Sequence, residues 1–441
     1  MSDNCNMPYL QITPFIHLIT NPCDRKKLQI EVVMTAAGSI HEKPKDRGKK
    51  HLMEHCIATR SAAMEMQEFK DWQSRENIMI NAYTSSMRLA VNASTHISKF
   101  KPTLNICLEM IFAPTFDQPV LDQEKEIVLR EISQRSGEPE YITYYHTMDK
   151  IFTEDSLMRH QTLGDSAMVA QTTVADLQRL HQQNLQNSHI IIKASGGGIE
   201  EQYIVDEVKN WLEQRQVSTI KDILNKETKL AIDFYPVNKL KKFCYMPVVH
   251  ELAHQHCDLT VFIPCEVNAQ NKAARKIFDE LYLQFFGKLY HRLRDEKGYI
   301  YSMYSDFSDD LQNLEINLSC ELIYIQNILY EITDIFGNFD KYYDDKRFEE
   351  FKDSIKIKLD IANDNLSALP SFVQKNLTDY GLVMTFEDYE KQLDGVTKDD
   401  IKCIYEDLKS NINKAQIVAV SKDTNIKSLE LKMQHRNFSN D

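Results

Sequence analysis

Residues 172–196 read TTVADLQRLHQQNLQNSHIIIKASG, and residues 396–421 read VTKDDIKCIYEDLKSNINKAQIVAVS. In each, a threonine stands three residues before an aspartate, Thr173 with Asp176 and Thr397 with Asp400, the pattern of a capped helix start. A helical stretch follows, and then a short apolar strand, HIIIKASG at 189–196 and AQIVAVS at 415–421. The two threonines lie 224 positions apart. Outward from them, the same order of elements precedes each. QIEVVMTAA at 29–37 predicts a strand, followed by helix over 49–75, a strand pair around NAYTSSMRLAVNAST, and long helices from 97 to 160. CDLTVFIPC at 257–265 predicts the matching strand, 228 positions beyond Gln29. Helix around 271–294, strands through SMYSDFSD and NLEINLSCEL, and helices from 324 to 380 come after it. One order at one offset implies an internal duplication of about 225 residues. The predicted fold is α+β, as two tandem homologous α/β-sandwich domains over 1–215 and 246–441, joined by a polar, lysine-rich linker over 216–245.

Composition narrows the function. The 441 residues are 42% hydrophobic and 27% charged, which excludes a wholly disordered chain. A net charge of −13 argues against nucleic acid as a partner, because such binders present basic surface to the phosphates. No apolar run reaches the ~18 residues of a membrane span, so no membrane partner is expected. The opening MSDNCNMPYLQITPF has neither a secretory pattern nor the arginine-rich, acid-poor character of a transit peptide. Nine scattered cysteines without a CxxC pair read as reduced, buried side chains, and together these features predict a cytoplasmic protein.

The halves differ most sharply at HLMEHCIA. His51 and His55 stand at i and i+4 with Glu54 at i+3, so all three project from one helical face. Two imidazoles on adjacent turns suit a zinc ion, with a carboxylate in reach of its water. The order H-x-x-E-H inverts the commoner metalloprotease helix, and the matching second-half helix, FDELYLQFFGKLYHRL, has no such trio. The same spacing also fits two solvent-facing histidines on a charged helix, and zinc requires a third protein ligand. LDQEKEIVLREISQR at 121–135 offers one: Glu124 and Glu131 are two turns apart and share a face. Glu131 could ligate the metal, with Glu124 behind it orienting a histidine through its ring N–H. An acidic helix is otherwise simply a solvated face.

HLMEH, followed 76 positions later by the glutamate of VLREI, resembles the pitrilysin/insulinase family of inverted zinc peptidases. Resemblance to its short, two-domain processing-peptidase-like branch covers nearly the whole chain. It implies a zinc-dependent endopeptidase that hydrolyses extended peptides or leader sequences inside a closed chamber. By that resemblance His51, His55 and Glu131 hold one zinc ion per chain, Glu54 is the general base and Glu124 supports the ligands. NAYTSS resembles the family's strand beside the site, which implies that Asn81, Ala82, Tyr83 and Thr84 pair with peptide substrate. CIATRSA, after the zinc helix, lacks the aromatic and glycine usual there.

KLYHRLRDEKGYIYSMYS at 288–305 resembles the family's L-R-x-x-x-G-x-x-Y segment, with Arg294 and Tyr301 seven apart. A tyrosine hydroxyl can donate to the oxyanion of an attacked carbonyl, and an arginine can anchor that carbonyl or the tyrosine. Longer members carry the zinc helix in their first domain and this pair in their fourth. The resemblance therefore implies a homodimer in which each chain's pair completes the partner's site, or a heterodimer with a related chain. The alternative function is a noncatalytic core or partner subunit. Lesser signals read as structure: ASGGGIEE as a turn, YITYYHTMDKIF as helix packing, and HELAHQHC, with His250, His254 and His256, as edge-strand polar residues rather than a metal site.

Overall fold

In the computed structural model, which describes residues 8–153, 156, 159, 162–215, 245–309, 311–431 and 433, the first half supplies six strands. These are β1 (Tyr9–Thr13), β2 (Ile16–Asn21), β3 (Lys27–Met34), β4 (Met79–Thr84), β5 (Leu89–His96) and β6 (Ile190–Gly196). They form one sheet in the order β1-β2-β6-β3-β5-β4. The second half supplies β7 (Tyr245–Val249), β8 (Cys257–Pro264), β9 (Ile300–Ser308), β10 (Asn313–Cys320) and β11 (Gln416–Ser421), ordered β7-β11-β8-β10-β9.

Without β1, the two sheets have one topology. β2 runs parallel to β6 as β7 does to β11, and every other neighbouring pair is antiparallel in both. The fold is the α+β duplication expected from the repeated order of elements. Both capping boxes form, at the helices Val174–Asn187 and Lys398–Asn411, each threonine hydroxyl accepting from the aspartate N–H while the aspartate accepts from the threonine N–H. The linker expected over 216–245 lies outside the described residues, except for Tyr245.

Each sheet is covered on both faces. In the first, Ile30, Val32 and Met34 of β3 enter one apolar core and Val33 enters another, as strand alternation requires. The first core is filled by the helices Lys49–Thr59 and Phe100–Phe112. In the second, Val373 and Leu377 of the helix Ala368–Tyr380 pack on Ile19, Val33, Ala90 and Ile191. In the other sheet, Met148 and Ile151 of the helix Pro139–Ile151 pack with Phe262, Val418 and Val420. Two compact units result: one gathers Met1–Gln134, His160–Ile232 and Ala362–Thr385, the other Arg135–Arg159, Asp233–Ile361 and Phe386–Asp441. Compactness therefore exchanges a helical segment between the halves, which boundaries drawn along the chain do not contain.

Two local expectations change. The helix predicted over 271–294 ends at Tyr282 and resumes through Lys288–Tyr290 into a π-helical turn, His291–Glu296. A side chain at Gly287 would stand 2.5 Å from the Leu283 nitrogen, and Phe285 and Phe286 between the pieces are exposed. The strand after HELAHQH is not an edge either, since β8 lies between β11 and β10.

Candidate metal centre

The helix Lys49–Thr59 starts where Gly48 takes φ +86°. A side chain there would meet the Leu163 carbonyl oxygen at 2.8 Å and Val169 Cγ2 at 2.9 Å, so glycine is required. The Glu42 carboxylate accepts from the Gly48 and Lys50 N–H groups at 2.9 and 2.7 Å, satisfying donors that the first turn leaves free. Leu52, Met53, Cys56 and Ile57 anchor the helix in the core. It packs beside β4. His51 and Glu54 are only 7% and 8% exposed, so an imidazole and a carboxyl are buried on a helix that its apolar residues hold in place.

The trio meets Glu131 of the helix Gln118–Arg135. Glu131 Oε2 stands 3.6 Å from His51 Nε2 and 3.7 Å from His55 Nε2, and Glu54 Oε2 stands 3.9 Å from His51 Nε2. Two donors bound tetrahedrally to zinc at ~2.1 Å would lie about 3.4 Å apart, so the Glu131 oxygen stands at a fitting separation from each imidazole nitrogen. Behind them, Glu124 Oε2 accepts from His55 Nδ1 at 3.1 Å and Oε1 accepts from the Thr59 hydroxyl at 3.3 Å. That is the orienting contact a metal-bound histidine normally has. His51 Nδ1, by contrast, is buried with no hydrogen-bond partner among the described residues.

Burial pushes His51 down to about 4, with the neighbouring His55 charge adding to the effect. It lifts Glu54 to about 7, His55 opposing the rise and Glu131 and Glu124 adding to it. At His55 burial disfavours the cation, but the hydrogen bond to Glu124 and the surrounding carboxylates outweigh it, and the net shift is upward. These are the consequences of crowding three carboxyl groups around two imidazoles in a poorly solvated place.

Asn81, Ala82, Tyr83 and Thr84 lie on β4, the edge strand beside the metal helix. Ala82 is buried, Asn81 and Tyr83 face outward, and the Tyr83 hydroxyl donates to Glu31 at 2.7 Å. An edge strand has one row of backbone groups open to another chain. Arg294 and Tyr301 belong to the other unit. Arg294 sits in the π-helical turn and donates from Nη1 to the Ile300 carbonyl at 2.6 Å. Tyr301 is the second residue of β9, the edge strand equivalent in topology to β4; it is 53% exposed and its hydroxyl donates to Glu321. That hydrogen bond is the main reason its phenol holds its proton above the usual range. Glu42, Gly48 and Thr59 were not singled out from sequence. The signal for Thr59 was its place four residues after His55, whose carbonyl it bonds at 2.6 Å.

The insulinase family model, peptidase family M16, matches residues 25–171, which include the metal helix, β4 and Glu131. A Bacillus subtilis (strain 168) protein described as an uncharacterised zinc protease is 23% identical over 279 residues, 62% of this chain and 63% of its own. The chain thus spans somewhat less than two thirds of that relative. A protease from Helicobacter pylori superposes with a TM-score of 0.76 at 15% identity, over 94% of this chain and 98% of that one. A peptidase M16 inactive domain from Pseudomonas fluorescens does so with 0.75 at 15% identity, over 95% and 98%. At these identities the superpositions speak for the fold. Residues 25–171, which hold the histidine pair and the glutamate opposite it, are thus similar to the insulinase family of peptidases, family M16.

Proposed function

We propose that this protein is a zinc-dependent endopeptidase acting on extended peptides or leader sequences. His51, His55 and Glu131 would hold one zinc ion per chain, with Glu54 as general base. The supporting observation is the meeting of two imidazole nitrogens and the Glu131 carboxylate at 3.6 and 3.7 Å, with a further buried carboxyl 3.9 Å from His51. Zinc, when bound, supplies Lewis acidity toward water and a peptide carbonyl. Glu54 takes the proton as the water oxygen bonds to the carbonyl carbon, and delivers it to the nitrogen as the C–N bond breaks. Glu124 holds His55 in one orientation throughout. An extended substrate adds as a strand along Asn81–Thr84 of β4. Arg294 and Tyr301 serve the reacting carbonyl, and in a twofold homodimer each chain's pair serves the partner's site.

A noncatalytic reading has one observation in its favour, the likeness to a structure described as an inactive domain. Glu54→Gln decides between them. A general base is not a ligand, so the variant should keep its zinc while peptide hydrolysis falls by at least about 10²-fold. Near-normal turnover, or a wild-type protein without peptidase activity when loaded with zinc, would overturn the proposal.

A further inference from the structure

HELAHQHC forms the turn that leads into β8. His254 and His256 lie in this turn, and Asp258 is the second residue of β8. One ligand atom from each lies within 4.8 Å of the others. Asp258 is the pivot: its Oδ2 is 2.8 Å from His254 Nδ1 and its Oδ1 is 3.5 Å from His256 Nε2. Two imidazole nitrogens thus converge on the two oxygens of one carboxylate.

Support comes from the helix Pro139–Ile151 of the same unit. The Thr143 hydroxyl donates to Asp258 Oδ2 at 2.8 Å, and Glu140 Oε1 is 3.4 Å from His254 Nε2, the ring nitrogen turned away from Asp258. A carboxylate on the far nitrogen of a histidine and a donor on a ligating carboxylate are the outer contacts that metal ligands characteristically have. A simple His–Asp hydrogen bond explains neither the second imidazole nor these two contacts. Beside the cluster lies a groove of about 350 Å³, whose walls include Tyr304, Glu315 and Asn317.

We propose that His254 Nδ1, His256 Nε2 and Asp258 form a second metal site, taking a divalent zinc-class ion with an open position toward this groove. Two nitrogens and one oxygen favour zinc, nickel or copper over magnesium and calcium, which prefer all-oxygen shells. Three protein ligands leave a fourth place for water or a small ligand. The inference is independent of the peptidase reading.

Metal counting tests it. The full chain is stripped with chelator, equilibrated against buffered Zn²⁺, and its bound zinc measured. Wild type should hold two equivalents, His254→Ala/His256→Ala one, and His51→Ala/His55→Ala also one. In the last variant, Co²⁺ should give a visible absorption spectrum that disappears when His254 and His256 are also replaced. Should the double replacement of His254 and His256 unfold the protein by circular dichroism, His256→Gln alone should still cost the second equivalent. Equal zinc in wild type and in a folded His254/His256 or His256 variant would refute the site. A failed peptidase assignment would register separately, as zinc unaffected by loss of His51 and His55.

Discussion

Replacement of Glu124 by alanine tests the candidate centre without touching a proposed ligand. Glu124 is 6% exposed, and one carboxylate holds both His55 Nδ1 and the Thr59 hydroxyl. Its removal leaves a half-buried imidazole N–H without an acceptor and frees the ring to turn away from Glu131. Losing a hydrogen bond of this charged kind costs about 1.5–3 kcal/mol. Loss of an outer carboxylate typically lowers metal affinity about 10–100-fold, or roughly 1.4–2.7 kcal/mol. The two ranges overlap, and one further contribution acts in the same direction. Burial is the main cause of the rise at Glu54, and the Glu131 and Glu124 carboxylates add to it by repulsion in the metal-free site. Removing Glu124 relieves that repulsion only where no cation is bound, so the metal-free form gains relative to the loaded one. Competition for Zn²⁺ against a chromophoric chelator measures the effect. Glu124→Gln, which keeps an acceptor but not the charge, should fall between wild type and alanine. A folded Glu124→Ala protein with zinc affinity within twofold of wild type would refute the arrangement.

Mixing Glu54→Gln protein with Tyr301→Phe protein should restore activity toward about a quarter of wild type after random exchange if sites are shared across a twofold dimer, because half the mixed sites carry neither defect. No recovery despite demonstrated subunit exchange would exclude sharing. Acid should weaken the fold between pH 6.5 and 4: burial, with the His189 charge, lowers His17 to about 4, and burial lowers His181 to about 4 although its Nε2 donates to the Ile111 carbonyl. The unfolded chain then binds protons near pH 6.5 that the folded one refuses, so this stability is complete above 6.5 and lost as pH falls toward 4, by about 3 kcal/mol for each histidine. Urea titrations across that range should show His181→Asn with a shallower slope than wild type by about 1.4 kcal/mol per pH unit; parallel slopes would count against it.

Legibility in the sequence tracked distance along the chain. Thr173 with Asp176 and Thr397 with Asp400 form their caps within one helical turn, so three-residue spacing was enough. His51 to His55 and Glu124 to Glu131 are fixed by helix periodicity, and only the meeting of the two helices had to come from a family resemblance. ALPSFVQKNLTDY carries an apolar stripe, yet nothing local says that Val373 and Leu377 bury against Ile19 and Ile191 of the other half's sheet. LYLQFFGKLY reads as continuous helix, because apolar spacing cannot reveal that its middle leaves Phe285 and Phe286 exposed. HELAHQH alternates like an edge strand. What gathers its histidines is Asp258, fixed in turn by Thr143 from 115 residues away.

The duplication also provides an internal control for what a buried polar helix costs. In the second unit, the helix Lys272–Tyr282 follows β8 as the metal helix follows β3, and it too buries carboxyl groups, Asp279 and Glu280. Asp279 accepts from the Ser305 hydroxyl at 2.6 Å and from Gln284 Nε2 at 2.8 Å, with Lys276 at 3.5 Å. Glu280 pairs with Lys276 at 3.0 Å and Lys358 at 2.7 Å. That helix is satisfied by the protein alone. In the metal helix, the ion-pair contact of Glu54 among the described residues is the long one to His51 Nε2 at 3.9 Å, and His51 Nδ1 has no hydrogen-bond partner among those residues. Groups left this way destabilise the metal-free fold. Leucine in place of each carboxyl should therefore have opposite consequences when measured in chelator. Asp279→Leu removes the acceptor of two hydrogen bonds and a cation's counter-charge, and should cost about 3–5 kcal/mol. Glu54→Leu removes an ill-satisfied carboxyl from a helix already packed by Leu52, Met53 and Ile57, and should leave metal-free stability unchanged or raise it by about 1 kcal/mol. Urea midpoints of the stripped proteins give both values. Were Glu54→Leu as damaging as Asp279→Leu, the metal helix would be a structural network like its counterpart, and the reason for placing the chemistry there would be gone.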